Sequence, residues 1–376
     1  MNEFIRQKAI PWLKQEALLV ISWVLAGISM FWVKPDRESI AYVDWHTIGL
    51  LFALMAVMVG LERLGFFRTL GEAMLQRVKS KRQLEAVLIL LCFFSSMVIT
   101  NDVALITFVP FSIEVLKMAQ PSREMIPIVV LQTIAANLGS MLTPIGNPQN
   151  LYLFSKSGIS LLNFIGIMLP YAALSFALIC IFLFCRRNET LQQMLDCRPA
   201  AFRSKRLAAA YGLLFTICLG SIAEVLPVWI LVLIVIAFLL VADRGTLWHV
   251  DYTLLLTFIG FFIFVGNMGR IAVFHQTVAA FLEQNDFFTI LGASQIISNV
   301  PAVLLLSGFT THWDILLIAS NLGGLGTLIA SMASLISYKC VVRETPEKAG
   351  RYLVYFTIAN LIFLAVNVLV YEIFRA

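Results

Sequence analysis

Charge is what this sequence has least of: 13% of its 376 residues are Asp, Glu, Lys or Arg, while 60% are hydrophobic. An ordinary soluble domain carries roughly 25% and 45–50%. That imbalance excludes a soluble enzyme, a nucleic-acid binder and a secreted scaffold. The six cysteines form no CxxC pair and mostly lie in apolar runs, which argues against both a disulfide framework and a thiolate metal cluster. The four histidines are scattered, so a His-rich metal site is not expected either. No GxxxxGK[ST], HExxH or GxSxG segment occurs. The chain is therefore not read as an enzyme, and an ion gradient or a separate ATPase subunit is left as its energy source. Residues 1–14 are polar and basic and are not followed by a convincing cleavage site, so no signal peptide is expected.

What the chain has instead is long apolar runs, such as residues 17–33, 159–185 and 352–374. Each is long enough to cross roughly 30 Å of hydrocarbon as a helix. The expected fold is an all-α polytopic membrane protein, with the lipid bilayer as its surroundings. Full spans are read near 15–33, 45–62, 124–155, 159–185, 207–223, 225–243, 252–269, 312–338 and 352–374. Two further segments, 84–118 and 287–308, look interrupted. This arrangement gathers 22 of the 27 Lys and Arg on one side. The positive-inside rule makes that side cytoplasmic, predicting a multi-pass inner (plasma) membrane protein with the N-terminus inside and the C-terminus outside.

The halves share a weak internal repeat. Tyr42-Val43-Asp44-Trp45 pairs with His249-Val250-Asp251-Tyr252, Thr100-Asn101-Asp102 with Ser298-Asn299-Val300, and Ala136-Asn137-Leu138-Gly139 with Ser320-Asn321-Leu322-Gly323. The expected topology puts Asp44 outside and Asp251 inside, making the repeats inverted. They are read as 1–185 and 224–376, joined by a linker and one connecting helix over 186–223. Each is expected to hold a re-entrant hairpin and a discontinuous transmembrane helix, the organisation of secondary transporters.

Three segments carry the chemistry. Thr100-Asn101-Asp102 interrupts an apolar stretch and suits the tip of a re-entrant hairpin. Asp102 is the one carboxylate this reading puts deep in the membrane, where unpaired polar groups are costly. A helix cap explains the same three residues, and both readings hold at a hairpin tip. In residues 135–157, two prolines and two glycines break one span among Asn137, Thr143, Gly146, Asn147 and Asn150, releasing backbone groups. Such carbonyls, with Thr and Asn oxygens, suit a small cation. Thr100, Asn101, Gly146 and Asn147 are the candidate sodium ligands. The third segment repeats the pattern with less charge at Ser298, Asn299, Asn321, Thr327, Ser331 and Ser334. Ten and thirteen residues beyond each Asn-Leu-Gly asparagine stand Asn147 and Asn150 in one half, Ser331 and Ser334 in the other.

These segments resemble the ion-transporter superfamily of arsenite/antimonite permeases, citrate transporters, NhaD-type sodium/proton antiporters and divalent-anion/sodium symporters. Thr100-Asn101-Asp102-Val103-Ala104 is similar to the first-repeat motif of the arsenite branch. Residues 145–150 resemble the Gly-Thr-Pro-Pro-Asn segment of the dicarboxylate symporters. The resemblance implies a substrate and cation site at the hairpin tips and unwound spans: Thr100, Asn101, Thr143, Gly146, Asn147, Asn150, Ser298, Asn299 and Ser331. It also implies a transport domain moving against a scaffold, and a homodimer. Symporters carry Ser-Asn-Thr at both tips. Here Val300 lacks the hydroxyl and Asp102 adds a carboxylate, which argues against two-sodium dicarboxylate symport.

The expected function is secondary active transport of a small inorganic or carboxylate anion, or arsenite, coupled to H+ or Na+ through Asp102, with no other cofactor. Sodium/proton antiport is the alternative, and a passive channel a more distant one.

Overall fold

The computed structural model describes residues 16–119, 125–186, 188–190 and 204–375. Most of the linker expected at 186–206, together with Arg123 and Cys197, lies outside the described residues. Within them are eighteen α-helices and no strand beyond a single bridge between Ser80 and Thr190.

The first half contains α1 (Ala17–Ser29), α2 (Arg37–Ala41), α3 (Trp45–Arg63), α4 (Phe66–Leu75), α5 (Lys81–Ser95), α6 (Asn101–Ala119), α7 (Met125–Ser140), α8 (Pro148–Ser157) and α9 (Leu161–Cys185). After α10 (Lys205–Ile222) come α11 (Val228–Ala242), α12 (Arg244–Leu247), α13 (Tyr252–Gly269), α14 (Ala272–Ile297), α15 (Asn299–Leu306), α16 (Trp313–Leu322), α17 (Met332–Glu344) and α18 (Ala349–Arg375). Five of these, α3, α9, α10, α13 and α18, are long and apolar enough to cross a membrane unbroken. The fold is an all-α polytopic membrane protein.

Of the nine expected spans, the two read as discontinuous are broken, and two others hold shorter helices. The run at 124–155 is two helices, α7 and α8, separated by a turn and a short 3-10 segment at Pro144–Gly146. The run at 312–338 is likewise split into α16 and α17. The runs at 15–33 and 225–243 hold α1 and α11, of 13 and 15 residues. Helix α4, inside a stretch read as loop, places Phe67, Gly71 and Leu75 inward. Helix α14 begins well before the expected 287 and is kinked at Asn285, whose Oδ1 accepts the Phe288 amide at 3.2 Å and restarts the helix.

Helix α7 is buried along its whole length, packed among α5, α6, α9, α17 and α18. A second group packs beside it, with α1 against α13, and α10 and α11 against α3. Positions 207 residues apart make matching contacts there. Asp44 caps α3 by accepting the Thr47 amide at 3.1 Å, and Asp251 caps α13 by accepting the Leu254 amide at 3.0 Å. Arg63, at the end of α3, donates to Asp243 at 3.4 Å, while Arg270, after α13, donates to Asp36 at 2.7 Å. Gly60 and Gly266 do not share that spacing, but each receives a tyrosine ring, and an added Cβ would come within 2.1 Å of Tyr211 or 2.2 Å of Tyr42.

Candidate functional site

Each half interrupts an apolar stretch just before a conserved-geometry helix start. Helix α5 ends at Ser95, and after a short turn Thr100 leads into α6 at Asn101. Asn101 Oδ1 accepts the Asp102 amide at 3.0 Å and Thr100 Oγ1 accepts the Val103 amide at 3.4 Å, so these residues cap the helix as their types favour. The second break does the same with Asn299 Oδ1 and the Val300 amide at 2.9 Å. There Ser298 sits at φ 73°, ψ 154°, a region nearly reserved for glycine, so the tip is held under strain.

The broken helices meet these tips. Thr143 Oγ1 donates to the Met97 carbonyl at 2.5 Å, and Thr327 Oγ1 to the Gln295 carbonyl at 3.1 Å. Both carbonyls lie four residues before the tip asparagine. Gly139 packs on the Phe93 carbonyl and Ser96, and Gly323 packs on Ser294, where a Cβ would find no room. Gly146 lies against the Ser140 carbonyl, 2.0 Å from where a Cβ would sit. Pro148 begins α8, and Asn147 caps it through the Asn150 amide at 2.9 Å.

At the centre the halves exchange side-chain bonds. Asn137 Oδ1 accepts from Asn101 Nδ2 at 3.0 Å and from Ser331 Oγ at 3.2 Å, while its Nδ2 reaches Ser334 Oγ at 3.5 Å. Asn321 Oδ1 accepts from Asn147 Nδ2 at 3.1 Å, and Asn321 Nδ2 donates to Asn150 Oδ1 at 2.7 Å. Asn299 joins through its backbone amide, which donates to the Ala330 carbonyl at 3.0 Å beside Ser331. Asn101, Asn137, Asn147, Asn150, Asn299, Asn321, Ser331 and Ser334 are all buried.

Beside this network a cavity of about 170 Å³ is lined by Thr100, Asp102, Asn147, Pro148 and apolar side chains of α3. Glu62, His249 and Asp251 line it too. Asp102 thus shares this cavity with two other carboxylates. Asp251 entered the repeat comparison only as the counterpart of Asp44, placed on the cytoplasmic side; it also lines this cavity. A further buried carboxylate, Asp286, accepts from or pairs with His312 Nδ1 at 2.8 Å, away from this network.

Not every candidate joins the centre. Thr327 is exposed and bound to Gln295, through that residue's Oε1 at 2.9 Å and its carbonyl. Thr143 and Ser298 hold backbone carbonyls and sit at the edge. Of the four suggested sodium ligands, Asn101 and Asn147 already use Oδ1 to cap helices, and Gly146 is packed on Ser140. Sequence reading missed Ser140, whose hydroxyl accepts from Asn147 at 3.4 Å, and Gln295, whose amide donates to the Gly323 and Leu325 carbonyls at 2.8 Å each. Gln295 had a signal: a lone amide in an apolar run, four residues before the tip.

Comparison with known proteins agrees with this architecture. Residues 11–312 match the model of the citrate transporter family. The chain is 33% identical to the inner membrane protein YbiR of Escherichia coli, over 84% of this chain and 86% of that one. It is 31% identical to an uncharacterized transporter of Methanocaldococcus jannaschii, over 96% of this chain and 99% of the relative. A silicon efflux transporter of Oryza sativa is 33% identical over 38% of this chain and 29% of its own length. With its interrupted helices and buried amide network in a multi-pass membrane fold, this chain belongs to the citrate transporter family.

Proposed function

We propose that the chain is a secondary active transporter that moves a small solute by alternating access, with Asp102 carrying the coupling proton or sodium ion. The observation that carries this reading is the crossed bonding in which Asn137 pairs with Ser331 and Ser334 and Asn321 with Asn147 and Asn150, beside a cavity lined by Asp102. Reciprocal contacts between equivalent positions are those of a two-fold relation. Inverted repeats, one per half, would let the same contacts form on either side of the membrane in turn.

The chemistry of the network narrows the solute. Its side chains are amides and hydroxyls, donors and acceptors together, and neither Lys nor Arg lines the cavity. A multivalent carboxylate such as citrate would be buried there without a countercharge, which is strongly unfavourable. An uncharged, hydroxylated solute such as protonated arsenite or silicic acid loses no such compensation. The name of the silicon efflux relative fits this choice. The three carboxylates and one histidine around the cavity give a cation or proton an attractive route to Asp102. That observation also favours the second reading, sodium/proton antiport.

The test is thermal stabilisation of the purified protein by a panel of arsenite, silicic acid, citrate, phosphate and sodium, since a specific ligand stabilises the state it binds. Stabilisation by a hydroxylated neutral solute and its loss in Asn147→Ala are expected. Stabilisation by citrate alone overturns the solute assignment, and stabilisation by sodium alone favours antiport.

A further inference from the structure

Helix α11 carries no charged or hydrogen-bonding side chain except the indole of Trp229. Its Leu231, Val235 and Leu239 are fully buried against the protein, which leaves the opposite face to the bilayer. Gly49 lets α11 lie close to α3, since a Cβ there would stand 2.6 Å from Val228. These two helices and the α10–α11 turn bound a groove of about 950 Å³, none of whose lining residues lines the cavity of Asp102. Phe52, Val232 and Ile236 give it apolar walls. From Val228 to Ile236 a helix rises about 12 Å, close to the hydrocarbon depth of one leaflet.

The polar groups of the groove come from helix ends and a turn. Trp45 and His46 open α3, Glu224 stands in the turn between α10 and α11, and Trp229 lies in the first turn of α11. Glu224 adopts φ 59°, and its carboxylate has no hydrogen-bond or ion-pair partner among the described residues. The two indoles are 57% and 66% exposed, and their N–H groups are likewise unengaged. His46 uses Nδ1 on Ser155 Oγ at 2.8 Å, which leaves Nε2 open. No Lys or Arg lines the groove.

A lone carboxylate beside N–H donors, at the end of an apolar groove one leaflet deep, complements a zwitterion with a hydrocarbon tail. We propose that this groove binds a phospholipid with an ethanolamine headgroup. Its ammonium donates to Glu224, its phosphate accepts from the indole N–H groups and His46, and an acyl chain lies along Phe52, Val232 and Ile236. An anionic lipid would meet Glu224 with no Lys or Arg to offset the repulsion. A choline headgroup brings no N–H to the carboxylate. A second copy of this chain seated here would bury Glu224 unpaired, which is strongly unfavourable.

The experiment is thermal unfolding of the purified, delipidated protein titrated with phosphatidylethanolamine, phosphatidylcholine and phosphatidylglycerol of one acyl composition. The ethanolamine lipid is expected to raise Tm at the lowest concentration. Glu224 is exposed, so Glu224→Gln keeps the fold. That variant should need roughly threefold to tenfold more ethanolamine lipid for half the effect, which levels it with the choline lipid. Glu224→Lys should turn the preference to the glycerol lipid. Ile236→Trp fills the apolar part of the groove and should weaken the ethanolamine lipid while leaving Glu224 in place. Equal effects of the three lipids on wild type, or an ethanolamine preference that survives Glu224→Gln, overturns the proposal. A dimer that Ile236→Trp dissociates assigns the groove to a second copy of the chain and overturns it as well.

Discussion

Asn137 and Asn321 hold each other's halves. Asn137 bonds Ser331 and Ser334, ten and thirteen residues beyond Asn321, while Asn321 bonds Asn147 and Asn150, ten and thirteen residues beyond Asn137. Within its own half Asn137 also accepts from Asn101 at 3.0 Å, and Asn321 donates to the Leu317 carbonyl at 2.8 Å, so side chains from the other half add to bonds that each half already makes.

Asn321→Ala leaves Asn147 Nδ2 and Asn150 Oδ1 short of a partner. Orphaning buried polar groups costs about 1–3 kcal/mol each. We expect a clear loss of thermal stability and a loss of transport, with Asn137→Ala giving a similar pattern. Wild-type transport by either alanine variant, measured in proteoliposomes, contradicts the shared role.

Glycines at the helix contacts should tolerate no side chain. A Cβ at Gly139 would stand 2.1 Å from the Phe93 carbonyl, and one at Gly146 2.0 Å from the Ser140 carbonyl, both backbone atoms that cannot swing aside. Gly139→Ala and Gly146→Ala are expected to destabilise by about 1–3 kcal/mol or more. Gly166→Ala and Gly292→Ala meet nothing within 4 Å and sit inside helices. They should be neutral or stabilising by about 0.5–1 kcal/mol. Equal behaviour of the two pairs in a thermal shift assay would refute the close packing.

The hydrogen bond from Arg270 holds the Asp36 carboxyl below its ordinary range, helped by the Ser39 amide. A depressed carboxylate contributes stability above its unfolded pKa, near 3.9, and that contribution is lost as pH falls through the folded value. The stability gap between wild type and Asp36→Asn should therefore be open at neutral pH and close in acid below about pH 4. Asp36 is exposed, so the gap is modest and shrinks with salt. A gap that widens on acidification would reverse the assignment.

Much of this was legible in the chain. The breaks were readable because Thr-Asn-Asp, Pro-Ile-Gly-Asn-Pro and Ser-Asn-Val-Pro stand inside apolar runs, where such residues need a reason. The ten and thirteen spacing, counted along the sequence, picked out the side chains that bond Asn137 and Asn321. Other features depend on distant partners that spacing does not encode. Thr327 looked like a site residue, but its hydroxyl is used on the Gln295 carbonyl. Asp251, read from sequence only as the repeat counterpart of Asp44, caps α13 and also lines the cavity of Asp102. Helix α4 was hidden because its apolar residues form one face of ten residues among charges, too short for a hydropathy run. Hydropathy alone runs α7 into α8 and α16 into α17, because the broken turns are short and rich in apolar residues, so residue type rather than hydropathy reveals the breaks.

The central claim is that the converging breaks form a solute site whose transport is coupled through Asp102. It is tested most directly by solute-driven proton movement in proteoliposomes, comparing wild type with Asp102→Asn. Wild type should show saturable arsenite or silicic acid flux accompanied by pH change, and the variant flux without coupled proton movement, or no flux. Identical proton coupling in Asp102→Asn, or flux that rises without saturation in both, would contradict it.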